Sequence, residues 1–253
     1  MSGQGPTYNS RMNFLAFELS TEACSVALWV DGDVRERHEI APRRHAELAL
    51  PRAEALLAEA GIAKSQLDAI AVGRGPGAFT GVRLGVAIAQ GIALALDRPA
   101  VPVSTLATLA MRSVALGAGE GDGVLAAIDA RMNEVYAAGY RLALEHGALR
   151  PMPMSDERVL APDAVPLPDG VGAWFGVGTG FGALGGMLSS RLLADRRAVD
   201  AEALPHAADV VRLAHAAMLR GEAVAPEWLE PAYLRNQVAL TLVEQQALRA
   251  ARS

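Results

Sequence analysis

The chain has 253 residues, about half of them hydrophobic and a fifth charged, which excludes a disordered or fibrous protein. That length suits one large domain or two lobes of roughly 100 to 130 residues each. A formal charge of −5 argues against a chain that grips a polyphosphate backbone alone, and the single cysteine, Cys24, permits neither an internal disulfide nor a thiolate metal cage.

The first eleven residues are polar and lack the apolar stretch of a secretory signal. Met12 to Leu19 and Cys24 to Val30 read as strands, Asp31-Gly32 as a tight turn, and Val34 to Ile40 as a third strand. A helix over 44–60 follows, carried by Ala46, Ala49, Leu50, Ala53, Leu56, Leu57 and Ala60 and stopped by Gly61; Pro51 is expected to kink or restart it. Leu67 to Val72 is a buried-strand candidate that runs into a glycine loop, residues 73–81. A strongly apolar helix then reaches about Leu96. Its continuous run, Leu84 to Leu96, is too short for the roughly 20 residues that cross a bilayer, so the expectation is a cytoplasmic protein without a membrane contact. Ala100 to Val103 predicts another strand, and Ser104 an N-cap for a helix over 105–115.

Gly117 to Gly123 is a glycine-rich break, and beyond it the plan restarts. Val124 to Asp129 and Val135 to Leu142 form a strand pair, and the proline-rich stretch 147–172 reads as irregular. Trp174 to Val177 is a strand, 178–180 a loop, and 184–193 and 207–219 are helices. A terminal helix is expected over 240–251. The expectation is an α/β protein of two lobes, 12–115 and 123–235, with the terminal helix packing back on the first.

Five segments, FLAFELSTEACSVAL at 14–28, GPGAFTGVR at 75–83, PVSTL at 102–106, DARMNEVY at 129–136 and PAYLR at 231–235, resemble in order the successive signatures of the TsaB (YeaZ) family. The resemblance implies an actin-like fold related to ribonuclease H. It also implies a role in making threonylcarbamoyladenosine next to the tRNA anticodon. The implied catalyst is the paralogue TsaD, assisted by the ATPase TsaE. This chain would be their accessory, binding TsaD as a heterodimer, pairing with itself when TsaD is absent, and meeting tRNA only through the complex.

Read for chemistry, the residues agree with a non-catalytic part. Actin-like ATPases hold phosphates in two hairpins, each opened by an acid and followed by glycine, whose bare backbone lets N–H groups approach. Here the first hairpin offers Glu18, where the family pattern has aspartate, and the second offers Asp129; neither has a glycine. Both acids are expected to bond neighbouring backbone. Gly75 and Gly77 before the apolar helix, with Arg83 on its first turn, fit an anion cradle or a plain tight turn equally well. Gly178 and Gly180 are similarly ambiguous. These seven residues are the candidates for weak ATP or ADP binding, in the cleft or at the complex interface, with no cofactor required. The paralogue's metal-binding His-x-x-x-His helix corresponds to Thr105 and Leu109 here, and the histidines at 38, 45, 146, 206 and 215 are never three or four apart, so no metal site is expected. Cys24 reads as a small hydrophobe in a strand. An autonomous ATPase or kinase, or a glycoprotease-like hydrolase, is the alternative.

The positive signal lies in the helices. Gly81, Gly85, Ala89 and Ala93 recur every four residues and form a ridge of small side chains that another helix could approach closely. With His45, expected exposed at a helix start, and Ala49 and Ala53, they make the candidate partner surface. The competing reading is that the two helices complete their own lobe's core.

Overall fold

The structure, a computed structural model, describes residues 12–145, 147–167, 170–171, 173–191 and 196–235. The terminal helix expected over 240–251 lies outside them. Two sheets are built to one plan. In the first, β1 (Asn13–Glu18), β2 (Ala23–Val30) and β3 (Asp33–Ile40) run antiparallel. After α1 (His45–Ala60) the chain adds β4 (Ala69–Gly73) parallel to β1, and after α2 (Phe79–Leu96) it adds β5 (Ala100–Val103) parallel to β4. The order is β3-β2-β1-β4-β5. After α3 (Thr105–Ala110), β6 (Gly123–Arg131), β7 (Glu134–Glu145) and β8 (Ala148–Pro153) repeat the antiparallel trio, with β9 (Arg158–Leu160) also on β7. Then β10 (Trp174–Val177), α4 (Met187–Arg191) and β11 (Arg196–Asp200) complete the order β8-β7-β6-β10-β11. The last described helix is α5 (Ala207–Leu219).

Alternation along β1 explains why the first sheet is buried on both faces. Leu15 and Phe17 face α1 and α2, whereas Phe14 and Ala16 face α5. Alanines at 16, 27, 69 and 71 let α5 lie close, through Val210, Val211 and Ala214. On the second sheet, Leu106 and Leu109 of α3 pack against Val124, Ala126, Tyr140 and Phe175.

The two lobes therefore exchange helices. The helix that follows the first sheet covers the second, and the helix that follows the second sheet covers the first. The connector 117–123 lies between the two sheets, while α3 and α5 each pack across the lobe limits 12–115 and 123–235. Asp209 of α5, almost fully buried, binds Arg112 at 3.2 Å just after α3 and Arg212 at 2.8 Å, tying the crossing together.

Local chemistry accounts for most boundaries. Gly61 ends α1 in the left-handed region at φ 69°, and the Ala107 N–H donates to the Ser104 hydroxyl at 3.0 Å to open α3. Pro51 does not restart α1; it sits on the exposed side of one continuous helix, where water can serve the carbonyl that loses its donor. Past Ala110 the helix expected to 115 tightens into a 3-10 stretch that ends at Gly117. The proline-rich stretch is not wholly irregular. Pro151 and Pro153 stand in β8, an edge strand, where a missing N–H costs no ladder bond. The helix expected over 184–193 begins only at Met187, because Leu184, Gly185 and Gly186 all take positive φ, and it is described as far as Arg191.

Candidate functional site

A cleft of about 1170 Å³ opens between the lobes, lined by the β1–β2 turn, the start of α2, the β6–β7 turn and the segment 231–235. Both hairpins that would carry phosphates in an actin-like enzyme face it, but of the candidate nucleotide residues only Gly77, Arg83 and Asp129 line it, while Glu18, Gly75, Gly178 and Gly180 are buried away from it. Their chemistry is spent elsewhere.

Glu18 ends β1 with 1 % of its surface exposed. Its carboxylate accepts the Ser20 N–H at 2.9 Å and the Thr105 hydroxyl at 3.1 Å, and it lies over Gly73, where any Cβ would stand inside it. Burial pushes its pKa up, against the pull of the Ser20 and Thr105 hydrogen bonds. Such a group costs stability when ionised. Unfolded, Glu18 releases its proton near pH 4.5; folded, it holds the proton to a higher pH, so stability falls as pH rises through that window. Glu18→Gln, whose amide can donate to Thr105, should melt higher than the parent at pH 8. The gap should close below pH 4.5, as read by melting temperature across pH.

The glycine loop serves this hairpin. The Ala78 N–H donates to the Ser20 carbonyl at 2.7 Å, and Cβ atoms at Gly77 and Gly81 would lie 2.4 Å and 2.0 Å from the Ser20 and Leu19 carbonyl oxygens. Of the two readings, the tight turn is the one the geometry favours: the hairpin backbone fills the space a phosphate would need. Gly75, at φ +94°, turns the chain so that its N–H and carbonyl both bond Thr105.

In the second lobe, Asp129 accepts from the Arg131 N–H at 2.8 Å and from its guanidinium at 2.9 Å, so the acid is neutralised by its own turn. Arg131, Met132 and Asn133 all take positive φ. Gly178 and Gly180 press on β6: Cβ atoms there would lie 2.3 Å from the Ala127 carbonyl oxygen and 2.7 Å from the Ala127 side chain. They too are packing glycines.

Sequence reasoning missed how the segment 231–235 works. The Ala232 N–H donates to the Arg74 carbonyl at 2.8 Å, holding the segment to the first lobe. Arg83 donates to the Tyr233 hydroxyl at 3.0 Å and lies 3.3 Å over the Phe79 ring. Arg235 reaches the second lobe, donating to Glu134 at 2.5 Å and to the Ala130 carbonyl at 3.2 Å. The strap spans the cleft mouth, and Arg83 is engaged in it. The signal was present in PAYLR, whose tyrosine and arginine supply the side-chain hydrogen bonds.

The candidate partner surface needs correction. Gly81, Gly85, Ala89 and Ala93 are buried against their own sheet, and Ala49 and Ala53 with them. His45 is half-buried, not exposed, and its Nε2–H donates to the carbonyls of Thr21 and Ala23 at 3.0 and 3.2 Å. The small residues admit α2 to the sheet, a closeness the helix needs for its own lobe. The outward stripe of α2 is instead Thr80, Arg83, Ala87, Gly91, Leu94 and Ala95, all exposed, with Leu50 exposed on α1. By length and composition α2 could cross a membrane, yet one face of it belongs to the core.

Comparison with known proteins fits this architecture. Residues 38–241 match the family described as TsaD: tRNA N6-adenosine threonylcarbamoyltransferase. The chain is 42 % identical to the tRNA threonylcarbamoyladenosine biosynthesis protein TsaB of Escherichia coli, over 90 % of this chain and 96 % of that one. The chain belongs to the TsaB (YeaZ) family. A solved structure described as YeaZ from Pseudomonas aeruginosa superposes with a TM-score of 0.79 at 46 % identity, over 88 % of this chain and 100 % of that one. The TsaB protein of Haemophilus influenzae is 38 % identical over 90 % of this chain and 95 % of its own. The fold is therefore the actin-like α/β fold of two lobes, and the process is tRNA threonylcarbamoyladenosine biosynthesis.

Proposed function

We infer that the chain is a non-catalytic subunit of that pathway, which binds and stabilises TsaD through the outer faces of α1 and α2. The observation that carries this reading is the exposed apolar stripe Ala87–Gly91–Leu94 on α2, together with exposed Phe79 at the start of that helix and exposed Leu50 on α1, which the described residues leave uncovered. TsaE would act on the resulting pair, a second copy of this chain would take the surface when TsaD is absent, and tRNA would be met only through the cytoplasmic complex. A subunit of this kind helps its enzyme by binding one arrangement of it better than others, shifting the population by that difference in affinity.

The cleft supports the non-catalytic half of the reading. It is large enough for a nucleotide, but the hairpins offer no free acid and no glycine N–H, so the residues present do not fit triphosphate in the actin-like manner. Weak ADP or ATP binding, in the cleft or at the interface, belongs to the same proposal without a chemical role. Among the described residues neither Cys24 nor Ser20 makes a ready nucleophile: the Cys24 thiol is buried and pushed up by burial, and the Ser20 hydroxyl is buried, away from solvent.

Reconstitution tests this directly. Purified TsaD, TsaE, tRNA, ATP and threonylcarbamoyl donor should give modified tRNA only when this chain is added. The chain alone should give neither product nor steady ATP turnover, with no change in Asp129→Ala. Product or turnover from the lone chain would overturn the proposal.

A further inference from the structure

A second site lies away from the cleft, where the edge of the first sheet meets the start of α5. Glu36 and His38 stand two apart on β3, on the same side of the strand, and His206 precedes α5. One ligand atom from each of the three lies within 4.8 Å of the other two. The His38 and His206 rings stack with centroids 3.9 Å apart and 2° between planes, and His206 Nδ1 lies 2.9 Å from Glu36 Oε2. His38 Nδ1 is buried with no hydrogen-bond partner.

We propose that Glu36, His38 and His206 form a binding site for a divalent transition-metal ion of the zinc type. Two imidazoles and one carboxylate are the donor set that zinc and nickel take, and that magnesium and calcium, which want oxygen, do not. The ion enters between His206 Nδ1 and Glu36 Oε2. The proton now shared there moves to Nε2 of the same ring, leaving Nδ1 its lone pair for the metal. His38 Nδ1, the polar atom without a partner, is the third ligand.

Binding must open the ring stack: a nitrogen lone pair lies in its ring plane, so one of the two parallel imidazoles has to turn about its side-chain bonds before both can face one ion. Ligand atoms around a tetrahedral zinc stand about 3.3 Å apart, so the 2.9 Å pair opens slightly and the most distant pair closes by up to about 1.5 Å as that ring turns. The other carboxylate oxygen is already fixed: Glu36 Oε1 accepts the Ser25 hydroxyl at 2.7 Å and the Ala208 N–H at 3.0 Å, and Ser25 Oγ accepts the Ala207 N–H at 2.8 Å. These bonds orient the ligand as outer-shell partners do in metal sites. Burial opposes the charge of Glu36, but the hydrogen bonds from His206, Ala208 and Ser25 outweigh it and lower its pKa to about 2, so the ligand is anionic at any working pH. A bound ion would clip α5 to the edge strand, fixing the chain that leaves the second sheet onto the first. Three protein ligands leave one position open for water.

The test uses the full chain, free of any affinity tag and stripped with a chelator. Titration with Zn²⁺ and with Ni²⁺ by calorimetry should give one site per chain and a raised melting temperature, and Mg²⁺ should give neither. His38→Ala and His206→Ala, each checked for folding by circular dichroism, should lose at least about tenfold in Zn²⁺ affinity, since even outer-shell changes cost that much. His45→Ala should bind as the parent does. Failure to bind Zn²⁺ saturably, or binding that survives both His38→Ala and His206→Ala, would overturn the assignment.

Discussion

Gly91→Arg should abolish association with TsaD while leaving the fold intact. A Cβ at Gly91 meets nothing within 4 Å, and replacing a glycine within a helix adds up to about 1 kcal/mol of stability. The same side chain placed in a covered apolar seam loses its water without gaining a partner. Truncations and buried charges at the centre of an interface cost about 2–4 kcal/mol, roughly a thirty- to thousand-fold weaker complex. Ala87→Arg, one turn away, should act alike. Sedimentation of mixtures with TsaD reads the result, and unchanged association by both folded variants would remove the outer face of α2 from the interface. Gly85→Leu is the informative contrast. A Cβ there already lies 3.3 Å from Val72, so that variant should damage the lobe itself and lose every function together.

Gly81→Ala should be among the most destabilising single-methyl additions in the chain. The added carbon would stand 2.0 Å from the Leu19 carbonyl oxygen, and the atoms in conflict are backbone on one side and a helix start on the other. Neither can swing aside as a side chain would. A cost of about 3 kcal/mol, the upper part of the overpacking range, lowers the melting temperature by about 6–12 °C for a chain of this size. Gly91→Ala, in the same helix, should raise it. A loss smaller than that of an ordinary surface change at Gly81, about 0.5 kcal/mol, would mean that the hairpin does not lie where it is described.

Much of the architecture was legible because it rests on local rules. The apolar run of β1, the Asp31-Gly32 turn, the Ser104 cap and the Gly61 stop each announce themselves within a few residues. What stayed hidden depends on neighbours distant in the chain. β11, with the sequence RRAVD, reads as charged loop until β10 supplies a parallel partner for an edge strand. The ridge Gly81–Gly85–Ala89–Ala93 was visible as a pattern, but a pattern does not say which neighbour it admits, and here the neighbour is the chain's own sheet. His38 and His206 could not be paired by spacing, since only the docking of α5 brings them together. Glu18 and Asp129 were expected to bond nearby backbone, and they do so at Ser20 and Arg131.

The exchange of α3 and α5 has a consequence for how this polypeptide can be divided. Cut anywhere in the 117–123 connector, each fragment keeps its sheet but surrenders the helix that shields one side of it. The amino-terminal piece would bare Phe14, Val101 and Val103, and the carboxy-terminal piece would bare Val124, Tyr140 and Phe175. Neither fragment is self-sufficient, yet each carries the missing lid of the other. Co-expressed, the two should reassemble by complementation; made singly, each should precipitate.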